Sequence, residues 1–151
     1  MSIRKETSLL LFPLLFSTDC LAVYGIFMFI NLTPHNLNFQ DANGKIHTIN
    51  TSETICRVGT KTSKEVGKIS SSELPWGFSA PIFSAPVFTS IIDLPDAEDG
   101  KVFIVSGFVA AAMRAAGLDR PDVIVPGTGP KDGCIRENGR IVAVTRFVRA
   151  T

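Results

Sequence analysis

Residues 101–126 constrain the fold more than any other stretch. Lys101-Val102-Phe103-Ile104-Val105 is a short apolar run, typical of a strand buried on both faces. Ser106 follows at the place of a helix N-cap, where its hydroxyl can accept from the free N–H groups of a first turn. Phe108 to Ala116 is alanine-rich with high helix propensity, and Gly117 is a natural stop. Asp119-Arg120-Pro121 turns the chain into a second apolar run, Val123-Ile124-Val125. Strand, helix and strand with short links have the form of a parallel crossover unit.

The rest of the chain is punctuated. Its 12 glycines and 9 prolines are spread along the sequence, which favours many short elements over long helices. Phe29 to Leu32 reads as a strand stopped by Thr33-Pro34. Residues 36–50 read as a β-hairpin, with Asn43-Gly44 supplying the positive φ angles of its turn. Glu53 to Thr60 is a strand that sends Ile55 and Val58 to the core, and Glu65 to Ile69 pairs with it. Trp76 to Pro86 contains a near-repeat, Phe78-Ser79-Ala80-Pro81 and Phe83-Ser84-Ala85-Pro86. Each proline lacks a donor, so this stretch is extended, on an edge or over the sheet. Val87 to Ile92 is a strand and Asp93 to Gly100 an acidic turn. A second hairpin, Cys134 to Arg136 with Ile141 to Val148, flanks Glu137-Asn138-Gly139-Arg140. The fold class is therefore α+β (mixed α/β), with short, mostly antiparallel strands and hairpins and one α-helix in a β-α-β unit near the C-terminus.

A chain of 151 residues suits one domain. That domain is assigned to residues 28–151, with residues 1–27 as an apolar extension. Arg4 and Lys5 precede the apolar run Leu9 to Phe16, and Ser17-Thr18-Asp19-Cys20 follows, in the order of a signal peptide. The residues before Cys20 do not fit a lipoprotein signal, and Asp19 would sit inside any membrane span. The reading adopted is an over-extended start, with translation beginning at Met28 and the protein in the cytoplasm; a cleaved signal and an anchor are the alternatives.

Charge and cysteines narrow the function. A net charge of +1 predicts no strong preference for nucleic acid. Residues 101–151 nevertheless hold eight Lys/Arg against four Asp/Glu. That basic third can face an anion or simply carry solvated turn charges. Cys20, Cys56 and Cys134 form no CxxC pair and have no histidine at ligand spacing, so no metal site is expected. Cys56 and Cys134 are expected as two buried thiols, a disulfide between them requiring an oxidising compartment. No Walker or dinucleotide fingerprint occurs, and no cofactor is expected.

Candidate chemistry gathers at strand ends. His35 follows Pro34 at a rigid corner, whereas His47 is mid-hairpin and exposed. Ser106 lacks the setting of a nucleophile elbow. A helix start at Ser106-Gly107 offers free N–H groups to an anion. If the crossover is parallel, and the first strand runs parallel to it, then Asn31, Thr33, His35, Ser106, Gly107, Thr128 and Gly129 converge. That set suits a phosphate or nucleotide. The alternative is a set of turns at separate corners.

Ile30-Asn31-Leu32-Thr33-Pro34-His35, Asp93-Leu94-Pro95, Phe103-Ile104-Val105-Ser106, Val125-Pro126-Gly127-Thr128-Gly129-Pro130 and the closing hairpin from Arg136 to Phe147 form a recognisable series. Over residues 28–148 the chain resembles a group of small uncharacterised proteins from bacteria, phages and prophages. The resemblance implies little about activity; an accessory role, inhibition of host defence among the options, fits a phage-like context and no particular chemistry. Two functional expectations result. One is a non-catalytic accessory or binding protein that takes a host protein or a small anionic or nucleotide ligand, without specific nucleic-acid binding or a stable membrane anchor. The other is a small hydrolase using His35 and Ser106.

Overall fold

The computed structural model describes residues 27–73 and 79–151. The expectations about residues 1–26, Cys20 among them, and about Trp76 to Phe78 lie outside the described residues.

The described chain is β-rich, with twelve short strands and a single helix. The main sheet contains β1 (Met28–Asn31), β8 (Lys101–Ile104), β9 (Val123–Pro126) and β12 (Phe147–Arg149), in that spatial order. β1, β8 and β9 are parallel, and β12 is antiparallel to β9. The apolar run at 101–105 becomes an inner strand, with Phe103, Ile104 and Val105 at most 2% exposed. The other strands pair in four two-stranded sheets. These are β2 (Leu37–Gln40) with β3 (Ile46–Ile49), and β10 (Ile135–Glu137) with β11 (Arg140–Ala143). The other two join β4 (Arg57–Lys61) to β7 (Val87–Ile92), and β5 (Glu65–Ser70) to β6 (Ser79–Phe83).

Helix α1 (Gly107–Ala115) forms as its sequence dictates. Ser106 is extended, at φ −71° and ψ 157°, and its Oγ accepts from the Val109 N–H at 3.3 Å. At the other end Gly117 takes φ +67°, where glycine has no Cβ penalty. The Leu118 N–H then reaches the Met113 carbonyl and the Gly117 N–H the Arg114 carbonyl, the paired bonds of a Schellman stop. Between these caps Val109, Ala110 and Met113 face the sheet and pack with Leu32, Phe103, Val105 and Val123. Fully burying an aliphatic side chain of this size contributes roughly 1.5–3 kcal/mol. Val58 of β4 and Ile91 of β7 pack against the same core, so the helix and the β4–β7 pair form one outer layer. Phe29 lies on the opposite face of β1 from Ile30, as strand alternation requires. There Phe147 stacks on Phe29 at 5.6 Å and on Phe39 of β2 at 5.4 Å, which places the β2–β3 hairpin over the second face.

Several sequence expectations need correction. β5 pairs with β6 rather than with the strand before it, because β5 continues β4 and β6 leads into β7 as the two arms of one long hairpin. Cys56, 6% exposed, takes the core place expected of Ile55. The strand expected over Ile141 to Val148 is divided: Val144 leaves β11 to exchange backbone hydrogen bonds with Asn38 and Gln40, and the chain resumes as β12 on β9. The turn after β2 is not the doubly left-handed type, since only Gly44 has positive φ, at +82°. Asp41 dictates this, its Oδ1 accepting from the Asn43 and Lys45 N–H groups at 2.9 Å each. The second hairpin does have that turn, with Asn138 at φ +50° and Gly139 at +78°. Cys56 and Cys134 are both free thiols; Cys56 is buried and Cys134 only half-buried.

Candidate functional site

Because β1, β8 and β9 run the same way, their carboxyl ends lie along one edge of the main sheet. Ligands of open parallel sheets sit at this edge, where neighbouring strands send their connections to opposite faces. β1 leads to the β2–β3 hairpin on the Phe147 face, and β8 leads to α1 on the other. The parallel condition on which convergence depended is met, and the seven expected residues occupy three adjacent strand ends.

The edge divides into three clusters, each held by its own hydrogen bonds. At the end of β1, Asn31 is 1% exposed and fully engaged. Its Nδ2 donates to the His35 carbonyl at 2.9 Å and the Ile49 carbonyl at 3.2 Å. Its Oδ1 accepts from the Thr33 N–H at 3.0 Å and the Thr33 hydroxyl at 2.7 Å. Asn31 and Thr33 therefore build the corner, leaving the exposed His35 side chain as its outward group. At the end of β8, the Ser106 hydroxyl is committed to its cap. The Gly107 and Phe108 N–H groups open the helix and have no intrahelical acceptor. Gly107 is exposed, and a Cβ there would meet nothing within 4 Å. At the end of β9, the Gly129 N–H donates to the Asp132 carboxylate at 2.7 Å, and the Thr128 carbonyl accepts from Arg136 at 3.1 Å. A carboxylate of the chain itself thus takes the donor expected to serve a ligand.

Cys56 also shapes the edge. The Leu32 N–H donates to the Ile104 carbonyl, so in a continued parallel ladder the Leu32 carbonyl would take the next β8 donor. It accepts from the Cys56 N–H instead, at 3.0 Å. Burial, with Asp93 nearby, pushes the Cys56 thiol up to about 11. A thiol held that high is a poor nucleophile at neutral pH.

Among the described residues no hydrogen bond joins Ser106 to His35, and none joins one cluster to another. His35, Gly107 and Phe108 are exposed, and so is Arg146, whose guanidinium lies near Gly133. Arg146 escaped sequence reasoning. Its side chain lies along Gly127, where a Cβ would come within 2.7 Å of its Cγ, and its carbonyl accepts from the Gly127 N–H. The basic bias of residues 101–151 was the only sequence signal for it. Asp132 was missed as well, although an aspartate three residues after Gly129 is placed to bond back to the loop backbone.

Among the described residues no helix is long and apolar enough to cross a membrane. Nor do three or more His, Cys, Asp or Glu come together to hold a metal ion. The chain matches no protein-family model, no curated protein and no solved structure.

Proposed function

We propose that this is a non-catalytic binding protein that seats a small anionic ligand, of the phosphate or nucleotide class, at the carboxyl edge of β1, β8 and β9. The observation that carries this reading is the parallel alignment of the three strands. On this reading the helix start at the open Gly107 forms the middle of the seat, with the exposed His35 at the end of β1 and Arg146 beside Gly127 as flanking groups. Positive helix-dipole character and free amides favour an anion there. Asn31, Thr33, Ser106 and Gly129, expected as contacts, become the scaffold of this site, since their polar groups are bonded within the chain. The engagement of the Ser106 hydroxyl by Val109 weighs against the hydrolase reading. An accessory, phage-associated setting rests on the resemblance of residues 28–148 alone.

The test is calorimetric titration with inorganic phosphate at fixed ionic strength. Gly107→Pro removes one amide donor at the first helical position, where proline is tolerated. Arg146→Gln removes the charge. Each variant is expected to weaken phosphate binding several-fold. Binding equal to wild type in both variants would refute the site.

A further inference from the structure

Two exposed Asn-Gly pairs stand at hairpin tips, and the fold treats them differently. At Asn43-Gly44 both backbone donors are engaged. The Gly44 N–H donates to the Asp41 carbonyl at 3.0 Å, and the Asn43 N–H to the Asp41 carboxylate at 2.9 Å. The Gly44 carbonyl accepts from the Gln40 side chain at 3.0 Å. The same carboxylate accepts from the Lys45 N–H and bonds His47 of β3 at 2.7 Å, which ties the turn to its own strand.

Asn138-Gly139 lies open. Glu137 pairs with Arg140 directly across the turn, so Asn138 and Gly139 are its two central residues. Both are exposed, and both are left-handed, at φ +50° and +78°. Among the described residues no hydrogen bond is made by the Asn138 side chain or by the Gly139 N–H. A Cβ on Gly139 would meet nothing within 4 Å, so the backbone there has room to rotate.

We propose that Asn138 is a site of self-modification, in which the Gly139 amide nitrogen attacks the carbonyl carbon of the Asn138 side chain. The N–Cγ bond forms, the amide proton passes to solvent hydroxide, and the Cγ–Nδ2 bond breaks with release of ammonia. Water then opens the resulting succinimide at either carbonyl, giving aspartate or isoaspartate, with no oxidant or reductant involved. The step needs an amide nitrogen free to lose its proton and to swing towards Cγ. Gly139 meets that need, and having no side chain it sets nothing against the closing ring. At Gly44 the equivalent nitrogen is held on the Asp41 carbonyl. The two products differ in the turn. Aspartate tolerates the left-handed conformation as asparagine does. Isoaspartate carries the backbone through its side chain and adds one atom to it, which a two-residue turn between paired strands does not accommodate. Opening β10–β11 also loosens Arg136, whose bond to the Thr128 carbonyl at 3.1 Å braces the loop after β9. This chemistry is independent of the anion seat.

The test ages the full folded chain at mildly alkaline pH and follows both Asn-Gly peptides by mass spectrometry, with isoaspartate identified by its fragmentation. Asn138 is expected to convert several-fold faster than Asn43, and the two rates should converge when the chain is aged in urea. Asp41→Ala, with folding checked by circular dichroism, should speed conversion at Asn43 in the folded chain and leave that at Asn138 unchanged. The isoaspartate form, separated chromatographically, should melt below the Asn138→Asp variant, which should melt with the wild type. Asn43 converting as fast as Asn138 in the folded chain overturns the proposal. So does a rate difference of the same size in urea, or an Asn43 rate indifferent to Asp41→Ala. An isoaspartate form as stable as the Asn138→Asp variant overturns the effect on the turn.

Discussion

Replacing Asn31 by alanine should be the most damaging polar substitution at the sheet edge. Asn31 is fully buried, and all of its hydrogen-bonding capacity is used in four bonds of 2.7–3.2 Å. A typical bond contributes about 1 kcal/mol net, and a buried group left without a partner costs roughly 1–3 kcal/mol. Two of the four partners can recover part of this: the Thr33 hydroxyl, released from Asn31, can give its one hydrogen to the His35 carbonyl 3.0 Å away, and the Thr33 side chain reaches solvent. The expected loss for Asn31→Ala is therefore about 3 kcal/mol. In a domain of this size that lowers Tm by roughly 10 °C. Thr33→Val removes one hydroxyl and should cost about 1 kcal/mol. Because the two residues share bonds, the double variant should lose less than the sum of the single losses. Asn31→Asp keeps the acceptor for Thr33 but sets a carboxylate against the His35 and Ile49 carbonyls, so it should be worse than alanine at neutral pH. Urea unfolding of the wild type and the four variants measures all of this. A cost below about 1 kcal/mol for Asn31→Ala, or strict additivity with Thr33→Val, would mean that the corner is not held by this network.

Two further predictions come from the turns and the thiols. Gly139→Val places a β-branched residue at φ +78° and should destabilise by about 1–3 kcal/mol, whereas Gly107→Ala, which meets open space, should change stability far less in the same denaturation assay. The Cys56 thiol, pushed up to about 11 by burial, should react with iodoacetamide much more slowly than the more exposed Cys134, as followed by peptide mass spectrometry at pH 8. The sign of the linkage follows from a raised value in the folded state: the contribution is fully present below the ordinary thiol value of 9.0 and is lost as pH rises towards about 11. Cys56→Ala should therefore flatten the alkaline end of the stability profile.

The elements legible in the sequence were those whose local signals agree with the global structure. Ser106 and Gly117 bound the helix because capping and left-handed φ are properties of single residues. The Asn138-Gly139 turn was legible for the same reason. Where a side chain overrode the local signal, the reading failed. Asn43-Gly44 carries the same dipeptide, yet the Asp41 carboxylate binds the turn amides and selects another geometry. Strand partners were the least legible feature. Nothing local in Glu65 to Ile69 states that its partner is Ser79–Phe83, because pairing is settled by where the chain turns back on itself. The candidate edge shows the same division. Its place was conditional on parallel pairing, which residue type does not encode. The roles within it depended on distant partners: Asp132 for Gly129, Cys56 for the Leu32 carbonyl, and Arg146 beside Gly127.

The most direct test of the carboxyl edge as a ligand seat is an amide chemical-shift map of the full chain titrated with inorganic phosphate at constant ionic strength. The account predicts saturable shifts concentrated at residues 35, 107, 108 and 146, with Gly107→Pro losing the Phe108 response. Shifts that never saturate, or that saturate elsewhere while these four amides stay still, would contradict it.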